Sequence, residues 1–169
     1  MFESLKTALR RRALKRHSSD VPTGMLPTER LHSAALFLPL EECTPALVDT
    51  IRSWFTARGV AVSIFALTSE KKAAAPEGVY LLRPRDLDCL GRIRRGPVFK
   101  VEEDFFVSLF EQDPFAVEYA ARCSRAAFKA GRSQLDGDVY DLVTLTPDGE
   151  SACAADAFAL LSSLLDKIR

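Results

Sequence analysis

Apolar residues along this chain fall into two alternating kinds of segment. One kind is short and unbroken: SAALFLP at 33–39, Val60–Leu67, Val79–Leu82, DFFVSLF at 104–110 and Ala126–Ala130. Strands covered on both faces read this way, because neither face has to meet water. The other kind recurs every three or four residues. Leu47, Ile51 and Phe55 do so with Val48 and Trp54 beside them, as do Phe115, Tyr119 and Cys123, and then Phe158, Leu161, Leu165 and Ile168. That spacing predicts amphipathic helices with one apolar stripe each.

Local signals bound the elements. Thr44–Pro45 and Asp113–Pro114 pair an N-cap residue with a first-turn proline, and Ser151 is placed to cap the last helix. Gly59 ends the first of these helices and Ser124 closes the second; Gly131 is expected to supply a turn conformation after the Ala126–Ala130 strand. Asp136–Gly137 is a strong turn pair. The last strand, Val139–Leu145, follows with no helix in between, so it is expected at a sheet edge and there antiparallel. Residues 68–78 read as a loop, and the periodicity fades from Arg83 to Glu103, where short helical turns are expected.

Strands alternating with helices predict an α/β fold, a three-layer sandwich. Its sheet should be Rossmann-like, mostly parallel and of about six strands, with an antiparallel edge strand. It would occupy residues 28–169. A helix at 1–17 precedes it, with Phe2, Leu5, Leu9 and Ala13 on one stripe, followed by a linker at 18–27 rich in proline and serine.

Charge changes this picture at one place. The formal net charge is zero, but Lys6, Arg10, Arg11, Arg12, Lys15 and Arg16 face a single acid, Glu3, within residues 1–16. That arm is +5, so the rest of the chain is −5. Such asymmetry bears on partners and not on fold. The arm suits RNA phosphates, or a ribosomal or protein surface. On anionic lipid it would lack a Trp or Tyr anchor and would offer only a thin apolar stripe. The plain alternative is that Phe2, Leu5 and Leu9 dock on the domain while the basic residues are solvated or pair with the acidic body.

The remaining chemistry is sparse. Cys43, Cys89, Cys123 and Cys153 are scattered without CxxC spacing, and His17 and His32 are the only imidazoles, so no metal or cofactor is expected. The start has no apolar signal core and no run is long enough to span a bilayer, so a cytoplasmic protein is expected. Neither GxGxxG nor GxxxxGK[ST] is present, and Asp113 at a helix N-cap would satisfy amides that might otherwise hold phosphate. Cys123 lies on an apolar stripe and reads as packing. The carboxylate pairs Glu41–Glu42 and Asp136/Asp138, and the Glu102–Glu103–Asp104 run, do not face one another as acid/base dyads. In open α/β sheets ligands bind beyond the carboxyl ends of the strands. There Lys71, Arg83, Arg85 and Arg132 could hold an anion, or form a solvated rim.

The run Ser124, Ala126, Phe128, Lys129, Gly131 and Arg132, following DFFVSLFEQDPF, resembles an uncharacterised bacterial family of small cytoplasmic α/β proteins. RLHSAALFLP, DLDCLG at 86–91 and VYDLV at 139–143 fit the same pattern. The resemblance implies fold and compartment but no activity. It also implies an acid in the fourth strand, where this chain has Ser108. A fainter fold-level likeness is to the N-terminal half of heptosyltransferase-type glycosyltransferases. The functional expectation is therefore a non-catalytic module that binds RNA or a protein through its basic helix. The alternative is an anionic-ligand or degenerate transferase-like domain that uses the rim.

Overall fold

The computed structural model describes residues 2–16, 31–70, 72–94, 103–144 and 153–167. The linker expected at 18–27, Lys71 and the Ser151 cap lie outside the described residues. Four helices and six strands follow in the order α1 (Phe2–Arg16), β1 (Ser33–Pro39), α2 (Pro45–Thr56), β2 (Ala61–Leu67), β3 (Tyr80–Leu82), β4 (Phe105–Ser108), α3 (Phe115–Cys123), β5 (Phe128–Gly131), β6 (Leu142–Val143) and α4 (Ala154–Lys167).

The strands form one sheet in the order β3-β2-β1-β4-β5-β6, and every pairing is parallel. The fold is α/β and Rossmann-like. The expected antiparallel edge is corrected: β6 runs parallel to β5, with Ala130 opposite Leu142 and Gly131 opposite Val143. Four residues of β5 span only about 13 Å, and the segment 132–141 is long enough to return along that length. The turn at Gly137 (φ 85°) and Asp138 (φ 49°) reverses the chain on the way. Asp141 then fixes the edge. Its carboxylate accepts from the Lys129 amide at 2.7 Å, and its own amide donates to the Lys129 carbonyl at 2.8 Å.

Both faces of the sheet are covered. Leu36, Leu38, Ile64, Phe105 and Val107 point to one side, where Leu47, Ile51 and Phe55 of α2 and Phe158, Leu161 and Leu165 of α4 meet them. Ala35, Phe37, Phe65 and Phe106 point to the other, against Val117, Ala120 and Ala121 of α3. On the α3 side four aromatic rings stack across four strands. Phe65 lies 5.5 Å from Tyr80, Phe37 lies 4.9 Å from Phe65, and Phe106 lies 5.0 Å from Phe37, with interplanar angles of 28°, 15° and 25°. Small residues on α3 let the helix sit close over this row.

The helix signals work as read at α2. Thr44 Oγ1 accepts from the Leu47 amide at 3.2 Å, Pro45 opens the helix, and Gly59 takes a left-handed turn at φ 71° beyond it. Between Arg83 and Arg94 only Pro84–Asp86 forms a helical turn; Leu87 and Ile93 pair as an antiparallel bridge instead. Asp88 organises that bridge by accepting from the amides of Leu90 and Arg92 and from Arg92 Nε.

Phe37 carries two of the three stacked contacts. Phe37→Ala should cost about 3–5 kcal/mol of stability, while Phe37→Leu, which keeps most of the volume, should cost clearly less. Urea denaturation of the two variants checks this; equal losses would overturn it, because the retained volume of leucine would then count for nothing.

Candidate functional site

A parallel sheet brings the carboxyl ends of all six strands to one edge. With β1 and β4 adjacent and the chain winding outward from each, the crevice favoured for ligands lies between their ends. Glu41 and Glu42 follow β1 there, and Glu111, Gln112 and Asp113 follow β4.

Asp113 does not cap α3. The N-cap position is Pro114, with no side-chain cap bond. The carboxylate instead accepts from Ser108 Oγ and from the Tyr140 hydroxyl, the latter at 2.6 Å. Tyr140 reaches this carboxylate because residue 131 has no side chain: a Cβ there would stand 2.4 Å from the Tyr140 ring. Gly131 is thus the last residue of β5 and serves a close approach, in place of the turn expected for it. Burial lifts the Asp113 carboxyl above its ordinary range, against the two hydroxyls and with a small push from Glu118.

On the opposite face Arg132, 5% exposed, directs Nη1 to within 3.8 Å of Glu42 Oε2. Glu42 also accepts from the Ala154 amide at the start of α4. The position that an anionic ligand would take, between a guanidinium and a helix N-terminus, holds a carboxylate of the chain itself.

The four rim residues named from sequence do not converge. Lys71 lies outside the described residues. Arg83 follows β3, donates Nη2 to the Ala73 carbonyl at 3.0 Å and is half-buried. Arg85 is exposed and lies 3.9 Å from Asp86. Arg132 follows β5, with β2, β1 and β4 between it and Arg83, a separation of about 19 Å at sheet spacing. Lys129, quoted only as part of a motif, is buried to 1% exposure beneath α3 and donates to the Ala121 carbonyl at 2.9 Å. Burial lowers its pKa, while Asp141 and Cys123 act in the opposite direction. A lysine and a glycine inside an otherwise apolar strand were the sequence signals of this buried polar layer. The Ser108–Asp113–Tyr140 contact had none, because Tyr140 arrives from a segment 27 residues beyond Asp113.

The second surface is α1. It packs beside α3 and the Leu87–Ile93 bridge, and one basic residue does the seating. Arg10 Nε donates to the Leu90 carbonyl at 2.7 Å, and the Arg10 guanidinium lies 4.9 Å from the Phe115 ring centroid. Gly91, at φ 91°, leaves room for it; a Cβ there would stand 2.7 Å from Arg10 Nη2. Lys6, Ala13 and Leu14 are half-buried on this side. The leucine contact of the plain alternative is corrected, since Leu5 and Leu9 are 58% and 43% exposed; Arg11, Arg12 and Lys15 are exposed as it expects. The Phe2 and Arg16 side chains lie outside the described set.

Residues 3–154 match the model of DUF6913, a family of unknown function, and the chain belongs to that family. The match takes in nearly all of α1. No curated protein and no solved structure matches the chain.

Two outcomes test the Asp113 contact. The folded protein holds this proton more tightly than the unfolded chain, so the group favours folding most below its ordinary value of 3.8. That contribution is lost as pH rises through the raised value. Against Asp113→Asn, the wild-type urea midpoint should therefore decline as pH rises above 3.8; a constant difference would refute the assignment. Gly131→Ala should push Tyr140 off Asp113 at a cost of about 1–3 kcal/mol, and, because the Tyr140 hydroxyl lowers the carboxyl's pKa, its loss should steepen the same pH dependence.

Proposed function

We propose that this chain is a non-catalytic interaction module that engages an anionic macromolecular surface through the outward face of α1. The observation that carries this reading is the division of labour along the helix. Arg10 is turned to the body and engaged there, while Arg11, Arg12 and Lys15 remain exposed. Glu3, at the far end of the helix, is its only acid, and none occurs between residues 4 and 15. A helix packed on a folded body presents these cations in a fixed array, which lowers the ordering cost of binding.

The rim supplies less. Arg83 and Arg132 sit on opposite sides of the sheet centre, and each faces an internal oxygen. RNA and anionic protein surfaces both fit the charge of α1, and association should weaken steeply with salt.

Full-length protein should bind a polyanion, tested as poly(U) RNA and as anionic vesicles at low salt. Arg11→Ala, Arg12→Ala and Lys15→Ala together should weaken that binding by roughly 100-fold, on the order of 1 kcal/mol per charge. Alanine keeps the helix intact, so circular dichroism should be unchanged. Wild-type protein that binds neither polyanion, or a triple variant that binds as well as wild type, would sink the reading.

A further inference from the structure

The exposed face of α1 is not purely basic, and this narrows the partner. Four large apolar side chains are exposed among the described residues, and two of them, Leu5 and Leu9, lie one turn apart on α1. At about 100° per residue the two leucines are about 40° apart around the helix, with Arg12 about 20° beyond Leu5. Lys15 and Arg11 continue the same outward arc, and the body occupies the side of Lys6, Arg10 and Ala13. An apolar strip therefore borders a basic one on the surface turned away from the domain.

RNA rewards the basic strip and leaves the leucines in water. A lipid surface with anionic headgroups answers both strips at once, with phosphates for the arginines and acyl chains for the leucines. The rest of the chain is −5, so its net charge opposes such a surface while the +5 of α1 favours it. None of the described helices is long and apolar enough to cross a membrane, so attachment would be at the surface. Resting on the reading above, we infer that α1 is a membrane-surface helix, lying on anionic lipid with Leu5 and Leu9 at the acyl boundary and Arg11, Arg12 and Lys15 on the headgroups. Two leucines without an aromatic anchor give a weak, reversible and salt-sensitive attachment.

The test is vesicle flotation of the full chain, with poly(U) RNA binding measured in parallel. Vesicles of phosphatidylcholine with about one-third phosphatidylglycerol should carry the protein upward; pure phosphatidylcholine should not. Leu5→Ala with Leu9→Ala should reduce partitioning about tenfold or more and leave any poly(U) binding unchanged. Both leucines are exposed, so the double variant should fold as wild type does. Flotation indifferent to the leucines would overturn the inference, because charge alone would then account for it. Poly(U) binding that depends on Arg11, Arg12 and Lys15, without flotation, would overturn the lipid assignment and leave the interaction module standing. Binding to neither would remove both.

Discussion

A parallel sheet with helices on both faces has no water against its centre, and the rest of the structure follows from that condition. β1 is buried from Ala34 to Leu38, one face turned to α2 and α4 and the other to α3. Each strand must then supply apolar volume in both directions. Phenylalanine does much of this work: Phe37, Phe65 and Phe106 stack under α3, while Phe55, Phe105, Phe128 and Phe158 pack on the opposite side. Burying each such ring contributes about 1.5–3 kcal/mol, and offset stacking adds a little more.

The same condition governs the polar residues. Ser108, Ser124, Lys129, Arg132 and Thr144 are buried, and all belong to the half of the sheet built from β4, α3, β5 and β6. Ser108 meets Asp113, Lys129 meets the end of α3, and Arg132 faces Glu42. Ser124 accepts from the Ala126 amide, which turns the chain from α3 toward β5. The Ser108–Asp113 and Arg132–Glu42 contacts close the carboxyl edge from within. A carboxylate stands where an anion would bind, so the edge that carries ligands in many related folds is occupied here by the protein's own groups.

That leaves α1 as the part of the molecule turned outward. Its seat is polar, a guanidinium held by a carbonyl and a ring, and Leu5 and Leu9 face away from the domain. A helix docking only to complete a core would place them the other way round. The basic strip and its leucine border are a surface that the fold itself does not consume.

Much of the fold was legible in the sequence. Unbroken apolar runs marked buried strands, three-to-four-residue spacing marked the helices, and Thr44–Pro45 with Gly59 set the limits of α2, because these are local consequences of side-chain shape and backbone freedom. The basic character of α1 was equally plain. The direction of β6, the turning of Asp113 away from its helix, the role of Gly131 and the orientation of α1 were decided only by tertiary structure. Each depends on which distant group arrives nearby: Lys129 beside Asp141, Ser108 and Tyr140 beside Asp113, Leu90 and Phe115 beside Arg10. Sequence determines what a residue can offer; the packed chain determines which offer is accepted, because burial penalises every polar group that arrives without a partner.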